Sequence, residues 1–171
     1  IKLTEDHLEI ILRWRVKPEV TRYMLTDVVY DLDKQNQWFH KISQDETIRY
    51  WIIVYQKIPV GLINIAEINL LHRRCSVGYY IGESKYISIG AMVTPYLYNY
   101  LFKEMKLRKI YGEVLVGNEN ALKMNLFHGY KKVGTYKDHI FKNDRFHDVI
   151  LIELLSEDWL QQKRYKRYIV T

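Results

Sequence analysis

The sequence predicts an α/β protein built on a mixed, mostly antiparallel β-sheet. From Arg49 onward, short runs rich in β-branched and aromatic residues follow one another at close spacing, which is typical of neighbouring antiparallel strands. Further along, a strand–helix–strand order implies one parallel strand pair joined by a crossover. The chain has 171 residues, 48% of them hydrophobic, which is enough to fold around one core.

The N-terminal part of the chain is predicted to be helical. Thr4 can cap a first helix, which carries apolar residues at helical spacing and ends before Pro18. A second short helix is expected over Glu19–Met24. Asp33 is the expected cap of a third helix that runs to about Ile42. The side chains expected to face inward from this third helix are Trp38, Phe39 and Ile42.

The rest of the chain alternates strands with helices. Strands are predicted at Arg49–Tyr55, Val60–Asn69, Cys75–Ile81, Lys109–Val116, Lys132–Phe141 and Phe146–Leu155. Helices are predicted at Ser88–Phe102, Glu119–Phe127 and Glu157–Tyr168. Gly129 suits a C-terminal helix cap, and Asn143–Asp144 suits a tight hairpin turn. We expect one domain over residues 1–155 and a basic helical tail over residues 156–171.

Net charge and cysteine content narrow the classes of partner. A net charge of +6 and a pI near 9.2 favour anionic partners such as nucleotides, CoA or nucleic acid. Cys75 is the only cysteine, which excludes an internal disulfide and a cysteine-rich zinc site and fits a cytoplasmic protein. No apolar run reaches the ~18–20 residues of a membrane span, and the first residues lack the pattern of a signal peptide. No membrane partner is therefore expected.

Several catalytic motifs do not occur in this sequence. It contains no GxxxxGK[ST] loop, no GxGxxG fingerprint and no GxSxG elbow. Their absence disfavours a P-loop NTPase, a dinucleotide-binding protein and a serine hydrolase. The six histidines show no spacing typical of a zinc site, so no metal is expected.

The segment Tyr79–Ala91 is the first candidate for a binding site. A strand ends there, a loop with Gly82 follows, and a helix begins near Ser88–Gly90. A helix N-terminus that follows a loop of free amides can bind an anion such as a pyrophosphate. Lys85 stands near the entrance. The alternative interpretation is an ordinary turn between a strand and a helix.

The segment Asn118–Tyr130 is the second candidate. It follows a strand directly, and Asn118 can cap the helix that begins there. Asn120 offers an amide to a ligand, and Ala121 is small enough for a close approach. The alternative interpretation is a capped amphipathic helix with no ligand.

Together the two segments resemble the GNAT family of acetyl-CoA-dependent N-acetyltransferases, and the resemblance extends over nearly the whole chain. The family pattern [RQ]xxGx[GA] falls on Lys85–Gly90, with Ser88 in place of the first glycine. The family pattern N-x-x-A-x-x-x-Y-x-x-x-G-[FY] matches at Asn118, Ala121, Gly129 and Tyr130. Asn125 replaces the family tyrosine that protonates the CoA thiolate, and an asparagine cannot act as an acid.

The resemblance implies a central mixed sheet with one splayed parallel strand pair, and acetyl-CoA as co-substrate without a metal. CoA is expected between the strand near Gly78–Ile81, whose amides would bind the oxyanion, and the strand near Tyr111–Val116. The expected cofactor-binding residues are Gly78, Tyr79, Tyr80, Ile81, Lys85, Ser88, Ile89, Gly90, Ala91, Asn118 and Asn120.

Expected catalytic and acceptor-binding residues follow from the same resemblance. Glu67 is the candidate general base because it lies late in a strand near the cleft, and Asn125 is the candidate group at the thioester. A solvent-facing Glu67 is the alternative, with Asp138 and His139 as further candidates for the base. Arg15 could bind a substrate phosphate or form an ion pair with Glu19 or Asp33. The expected substrate-binding residues are Arg15, Asn36, Trp38, Glu67 and Tyr80.

The acceptor is expected to be a small-molecule amine. Leu12–Met24 and Tyr136–Val149 resemble the branch of ribosomal-protein, polyamine and sugar-nucleotide acetyltransferases. Further stretches resemble the PseH-type enzymes of pseudaminic-acid biosynthesis, which acetylate the 4-amino group of a UDP-linked amino-deoxy sugar. Several basic residues in the early helices favour such an anionic acceptor. A polyamine or a protein N-terminus remains an alternative acceptor, and a homodimer stays open.

The alternative to an enzyme is a binding protein without catalytic activity. The missing tyrosine at Asn125 and the basic stretch Lys163–Tyr168 would suit an adaptor that binds RNA on the same fold. We favour the enzyme, and a nucleic-acid partner is the less favoured interpretation, because the strand–loop–helix and the Asn118 segment stand in the register of the family.

Overall fold

The computed structural model describes residues 1–169, in which six strands form one mixed sheet in the order β1-β2-β3-β4-β6-β5. The pairs β1–β2, β4–β6 and β5–β6 are antiparallel, and β3–β4 is parallel. The predicted mixed α/β sheet with one parallel pair is therefore confirmed. The strands are β1 Arg49–Tyr55, β2 Ile58–Asn69, β3 Arg74–Ile81, β4 Lys109–Leu115, β5 Lys131–Lys142 and β6 Arg145–Leu155.

Helices precede, interrupt and follow the strands. The α-helices are α1 Leu8–Arg15, α2 Pro18–Thr21, α3 Leu32–Ser43, α4 Gly90–Asn99, α5 Glu119–His128 and α6 Ser156–Leu160. Short 3₁₀ helices lie at Glu5–His7, Ser84–Ile89 and Lys163–Tyr165, and a π-helical turn spans Tyr100–Glu104. None of the helices in the described part of the chain has the length and hydrophobicity needed to cross a bilayer.

The chain divides into two compact units. The first unit comprises Ile1–Ile68 and Val77–Gly90, and the second comprises Asn69–Ser76 and the described residues from Ala91 onward. The parallel pairing of β3 with β4 lies in the second unit, where Arg74, Cys75 and Ser76 pair with β4. The assignment of residues 1–155 to one domain and of residues 156–171 to a tail stays a prediction.

The core of the first unit forms around α1. Its apolar positions follow helical spacing, so Leu8, Ile11 and Trp14 are all buried against the sheet residues Ile52 and Leu62. The third helix packs on this cluster with the side chains that the sequence predicted, and these are half-buried: Trp38, Phe39 and Ile42.

The cap of α3 differs from the prediction. Asp31, not Asp33, is the N-cap, because its side chain accepts a hydrogen bond from the amide of Lys34 at 3.0 Å. Asp33 lies inside the first turn, where its charge is still favourable at the positive end of the helix. The sequence offers two aspartates two residues apart, and spacing alone did not distinguish them.

The long helix predicted over Ser88–Phe102 is divided into three parts. A 3₁₀ helix runs to Ile89, α4 begins at Gly90, and the last turn is π-helical, with the amide of Met105 bonded to the carbonyl of Tyr100 at 3.0 Å. The single helix predicted over Glu157–Tyr168 is also wrong. Gln162 has an extended backbone (ψ 95°) and separates α6 from the last 3₁₀ helix. Residues 170 and 171 of the predicted tail lie outside the described residues.

The core of the second unit is aromatic. Trp159 and Tyr165 stack with ring centroids 4.4 Å apart, and Tyr98 and His128 contact Trp159 edge-on. Asn99 joins the tail to α4, since it accepts a hydrogen bond from Trp159 Nε1 at 2.9 Å and donates to the Tyr165 carbonyl at 2.8 Å. This contact places the chain from Trp159 to Tyr165 against α4.

The hairpin of β5 and β6 closes as predicted. Asn143 and Asp144 both have positive φ, 53° and 58°, the conformation of a two-residue turn whose twist matches the strands. The pairing register shifts at two places in β5, between Lys132 and Gly134 and between Tyr136 and Ile140. Nearly all of β5 is exposed.

Candidate functional site

The end of β3 carries the residues expected to contact the acyl group. Gly78 lies against Asn64, because an added Cβ would come within 2.8 Å of the Asn64 amide oxygen. Tyr79 and Tyr80 are half-buried, and burial raises the pKa of both phenols, so they are neutral donors in the ordinary pH range. Ile81 is buried.

The segment Ser84–Gly90 leads from β3 into α4. Ser88 and Lys85 are exposed, Ile89 is half-buried, and the Lys85 ammonium lies 5.2 Å from the centroid of the Tyr86 ring. This segment presents an exposed hydroxyl and an exposed cation on one short stretch of chain. Such a stretch can bind a phosphate, provided that its backbone amides are available.

Gly90 has two local functions that the sequence did not reveal. Its amide donates to the carbonyl of Ile87, so this amide is not free for an anion. A Cβ on Gly90 would lie 2.8 Å from Cε2 of Tyr79, so the glycine permits the close packing of this ring. Ala91 follows as a half-buried residue of α4.

The Asn118 segment lies in the second unit, and its predicted helix caps are present. The Asn118 side chain caps α5 by accepting a hydrogen bond from the amide of Ala121 at 3.3 Å. Gly129 ends the helix in the left-handed conformation at φ 101°. Asn120 is exposed in the first turn.

Asn125 is half-buried near the C-terminal end of α5. Its carbonyl accepts the amide of Tyr130 at 3.1 Å, which is part of the helix cap. Its side-chain amide has no hydrogen-bond partner in the described residues, so it is available to a ligand. An amide can bond a thiolate but cannot supply its proton.

The candidates for the general base are all on irregular strand positions. Glu67 is exposed in β2 with φ 53°, a left-handed conformation that marks a local irregularity of the strand. In the second unit, Asp138 is exposed with φ 50°, and its amide donates to Asp148 at 2.9 Å. His139 is also exposed, with its ring 4.7 Å from that of Tyr136.

Arg15 is the most distinctive charged group of the first unit. Its Nη2 donates to the carbonyl and the hydroxyl of Thr26 at 3.0 and 3.1 Å, whereas Nη1 is buried without a hydrogen-bond partner in the described residues. Burial lowers the pKa of this guanidinium, and Tyr50, Tyr80 and Asp27 are close enough to affect it electrostatically. The ion pair with Glu19 or Asp33 is therefore not the function of Arg15.

Aromatic rings of the first unit contact one another edge-on in two pairs. Trp38 contacts Tyr50 edge-on with centroids 5.1 Å apart, and Tyr80 contacts Trp14 in the same way at 6.5 Å. Trp38, Tyr50 and Tyr80 all pack on the hydrophobic cluster around α1. The assignment of Trp38 and Tyr80 to acceptor binding stays a prediction. Asn36 is exposed on α3 and does not take part in these contacts.

The sequence did not reveal that Trp14, Lys17 and Glu83 contact one another or the backbone near the cofactor segment. Trp14 donates from Nε1 to Glu83 at 2.6 Å, and Lys17 donates to the carbonyl of Gly82 at 2.7 Å. Their partners are 69 and 65 positions away in the chain, so no local pattern could reveal them. Within residues 1–169, no group of His, Cys, Asp or Glu is arranged to hold a metal ion.

Comparisons with known proteins all identify acetyltransferases. A family model described as an acetyltransferase (GNAT) domain matches residues 1–129. The acetyltransferase PseH of Campylobacter jejuni is 23% identical over 123 residues, which cover 72% of this chain and 76% of that protein. The spermidine N(1)-acetyltransferase of Vibrio cholerae is 24% identical over 145 residues, 84% of each chain.

A solved structure has the same fold. The crystal structure of spermidine N-acetyltransferase from Vibrio cholerae in complex with CoA and spermine matches with a TM-score of 0.86 at 23% identity. The match covers 94% of this chain and 96% of that one.

Proposed function

The chain belongs to the GNAT family of acetyltransferases, and we propose that it acetylates an amine whose carrier is anionic, such as the 4-amino group of a UDP-linked amino-deoxy sugar. The protein is accordingly an N-acetyltransferase with acetyl-CoA as co-substrate. The anionic acceptor is the part that we propose.

The proposal rests on the unpaired, buried Nη1 atom of Arg15. An arginine loses hydration when it is buried, and an unpaired N–H adds to that cost. The buried Nη1 of Arg15 has no partner within residues 1–169, so an acceptor phosphate would supply the missing charge-assisted hydrogen bond. Nearby aromatic rings of Trp38 and Tyr80 could pack against a base or a sugar.

A polyamine is the second candidate, because the Vibrio cholerae relatives act on spermidine. A polyamine site should present carboxylates to the cationic acceptor. In the early helices, Glu9 is held by Arg13 at 2.5 Å, and Asp31 caps α3 and pairs with Lys34. The half-buried, positively charged Arg15 would also repel a polyamine. These contacts favour the anionic acceptor.

The proposed reaction follows from the chemistry of acyl transfer. The amine loses a proton to a base, for which we propose Glu67, and its nitrogen attacks the thioester carbon. Amides of Gly78–Ile81 would stabilise the oxyanion that forms. The C–S bond then breaks, and the CoA thiolate takes a proton from water while Asn125 donates a hydrogen bond to the sulfur. The segment Ser84–Gly90, with Lys85 and Ser88, would bind the pyrophosphate.

Acceptor kinetics with paired arginine variants test the acceptor class. We expect thiol release from acetyl-CoA to be fastest with a UDP-linked amino sugar, compared with spermidine and an N-terminal peptide. Arg15→Gln should raise KM for the sugar nucleotide by about 10–100-fold, since one charge-assisted bond contributes ~1.5–3 kcal/mol. Arg13→Gln, on the exposed side of the same helix, is the matched control and should leave KM within twofold. Preference for spermidine, or equal effects of the two variants, would exclude this acceptor class.

A further inference from the structure

Glu83 is an acidic residue placed directly before the segment proposed to bind the pyrophosphate. We infer that Trp14 and Lys17 act as positioning residues for acetyl-CoA binding by holding the Glu83 carboxylate away from that segment. The inference rests on the proposed function of Ser84–Gly90. It adds a specific reason why the first helix of the chain affects cofactor affinity.

A hydrogen bond and an ion pair meet at the same oxygen of Glu83. Trp14 Nε1 donates to Oε1 at 2.6 Å, and the Lys17 ammonium lies 3.6 Å from this atom. Lys17 also donates to the carbonyl of Gly82 at 2.7 Å, so one ammonium holds both the backbone and the carboxylate. The carboxylate is therefore directed toward α1 and the turn that follows it.

Hydrogen bonds also hold the backbone at Gly82 and Glu83 in place. The amides of Gly82 and Glu83 both donate to the carbonyl of Val60, at 2.8 and 3.3 Å. Trp14 is 1% exposed, and its ring packs directly on Gly82, where it occupies the space that any Cβ would need. Rotation of the Glu83 side chain is thus the main freedom left at this position, and Trp14 and Lys17 restrict it.

The place of Glu83 in the chain explains why this restriction matters. It is the N-cap residue of the 3₁₀ helix that begins at Ser84, yet its side chain makes no capping hydrogen bond. A released carboxylate at an N-cap accepts hydrogen bonds from the amides that follow. It would then compete with a phosphate for those amides and repel it by its charge.

The opposite interpretation is that the three residues only stabilise the fold. In that case any loss of the Trp14–Glu83 bond would weaken acetyl-CoA binding to a similar degree, whichever partner was changed. The restraint model makes the reverse prediction for Glu83, because removal of its charge removes the competitor. The two partners of one hydrogen bond therefore give opposite results.

Calorimetric titration of the full chain with acetyl-CoA separates the two interpretations. Trp14→Phe, which keeps the ring and removes the N–H, and Lys17→Met should each weaken binding about tenfold. Glu83→Gln should bind acetyl-CoA at least as tightly as the wild type. Combining Glu83→Gln with either change should restore affinity to within twofold, whereas Arg13→Met should have no effect. Double variants that stay as weak as the single ones would overturn the inference.

One further variant distinguishes this inference from the proposed function. Ser88→Glu places a charge on an exposed side chain of the proposed phosphate segment. If Ser88→Glu binds acetyl-CoA normally, the pyrophosphate does not bind at this segment, and both the proposed phosphate site and the restraint by Trp14 and Lys17 are wrong. If Ser88→Glu weakens binding and Glu83→Gln rescues neither Trp14→Phe nor Lys17→Met, only the restraint by Trp14 and Lys17 is wrong.

Discussion

His128 at the end of α5 and Ala91 at the start of α4 are joined by a hydrogen bond of 3.2 Å from Nε2 to the carbonyl oxygen. A carbonyl can only accept, so Nε2 carries the proton, and Nδ1 is left to accept from the hydroxyl of Thr94 at 3.4 Å. This arrangement requires a neutral imidazole. Burial, opposed in part by the bond to Ala91, lowers the pKa of His128 to about 4.

The first prediction is a loss of stability in mild acid. Because the folded-state pKa lies below the usual 6.5, the unfolded chain binds more protons between these values, and stability falls as pH drops from about 6.5 to about 4. The loss should approach about 3 kcal/mol for this group. Urea unfolding at several pH values measures it, and His128→Gln should show a smaller change over the same range. An equal change in His128→Gln would assign the effect to other groups.

The second prediction concerns Asn99. Asn99→Leu leaves Trp159 Nε1 and the carbonyl of Tyr165 without their partner in a buried place. We expect a loss of about 3 kcal/mol in the free energy of unfolding, since each unpaired buried group costs ~1–3 kcal/mol. Gln37→Leu, an exposed position of α3, is the control and should change stability by less than ~0.5 kcal/mol. Equal stability of the two variants would contradict the bridging function of Asn99.

The third prediction concerns the packing of Gly90 on Tyr79. The added Cβ of Gly90→Ala would lie 2.8 Å from the ring, so we expect a loss of about 1–3 kcal/mol. In a Tyr79→Leu background the same change should cost clearly less, because the nearest atoms are removed. Thermal or chemical unfolding of the wild type, the two single variants and the double variant gives the coupling free energy between Gly90 and Tyr79. Additive effects would show that the ring does not limit this position.

The fourth prediction concerns the leaving group. If Asn125 donates a hydrogen bond to the sulfur and water supplies the proton, Asn125→Ala should lower kcat about tenfold, in keeping with one bond to a charged group. Asn125→Tyr should fold and retain or raise activity, because a phenol can both bond and protonate the thiolate. Lys123→Ala, exposed on the same helix, is the control. Unchanged kcat in both Asn125 variants would remove this residue from the thioester.

The fifth prediction tests the proposed base. Glu67→Gln should lower kcat by about 10²–10⁴-fold at neutral pH, the usual contribution of a general base. Asp138→Asn tests the alternative carboxylate in the same assay. A normal rate in Glu67→Gln together with a large loss in Asp138→Asn would transfer the function to Asp138.

Elements governed by local chemistry were predictable from the sequence. The run Arg49–Tyr55 is a strand with the predicted bounds, because its β-branched and aromatic residues follow one another without a turn residue. Asn118, Gly129 and Asn143–Asp144 function as predicted, since caps and tight turns depend on one or two residues. Asn118 and Gly129 also belong to the pattern on which the family resemblance rested.

Features that depend on distant contacts could not be predicted. The helix that continues after Ser88 changes its hydrogen-bond pattern at Gly90, where Tyr79 packs from another element. The tail is divided at Gln162, whose side chain donates to the carbonyl of His128 at 2.9 Å. The bond between Trp14 and Glu83 depends on the same kind of distant pairing. Side-chain partners of this kind are set by the tertiary fold and leave no periodic pattern in the sequence.

The position of β5 affects the behaviour of the protein in concentrated solution. It is the outermost strand on its side of the sheet, and it exposes Val133 and Phe141 together with several lysines. Lysines on an edge strand oppose the addition of a further strand from another molecule, because their like charges repel. Salt screens this repulsion but does not weaken apolar contacts. Self-association should therefore increase with ionic strength, and storage at low salt should keep the chains apart.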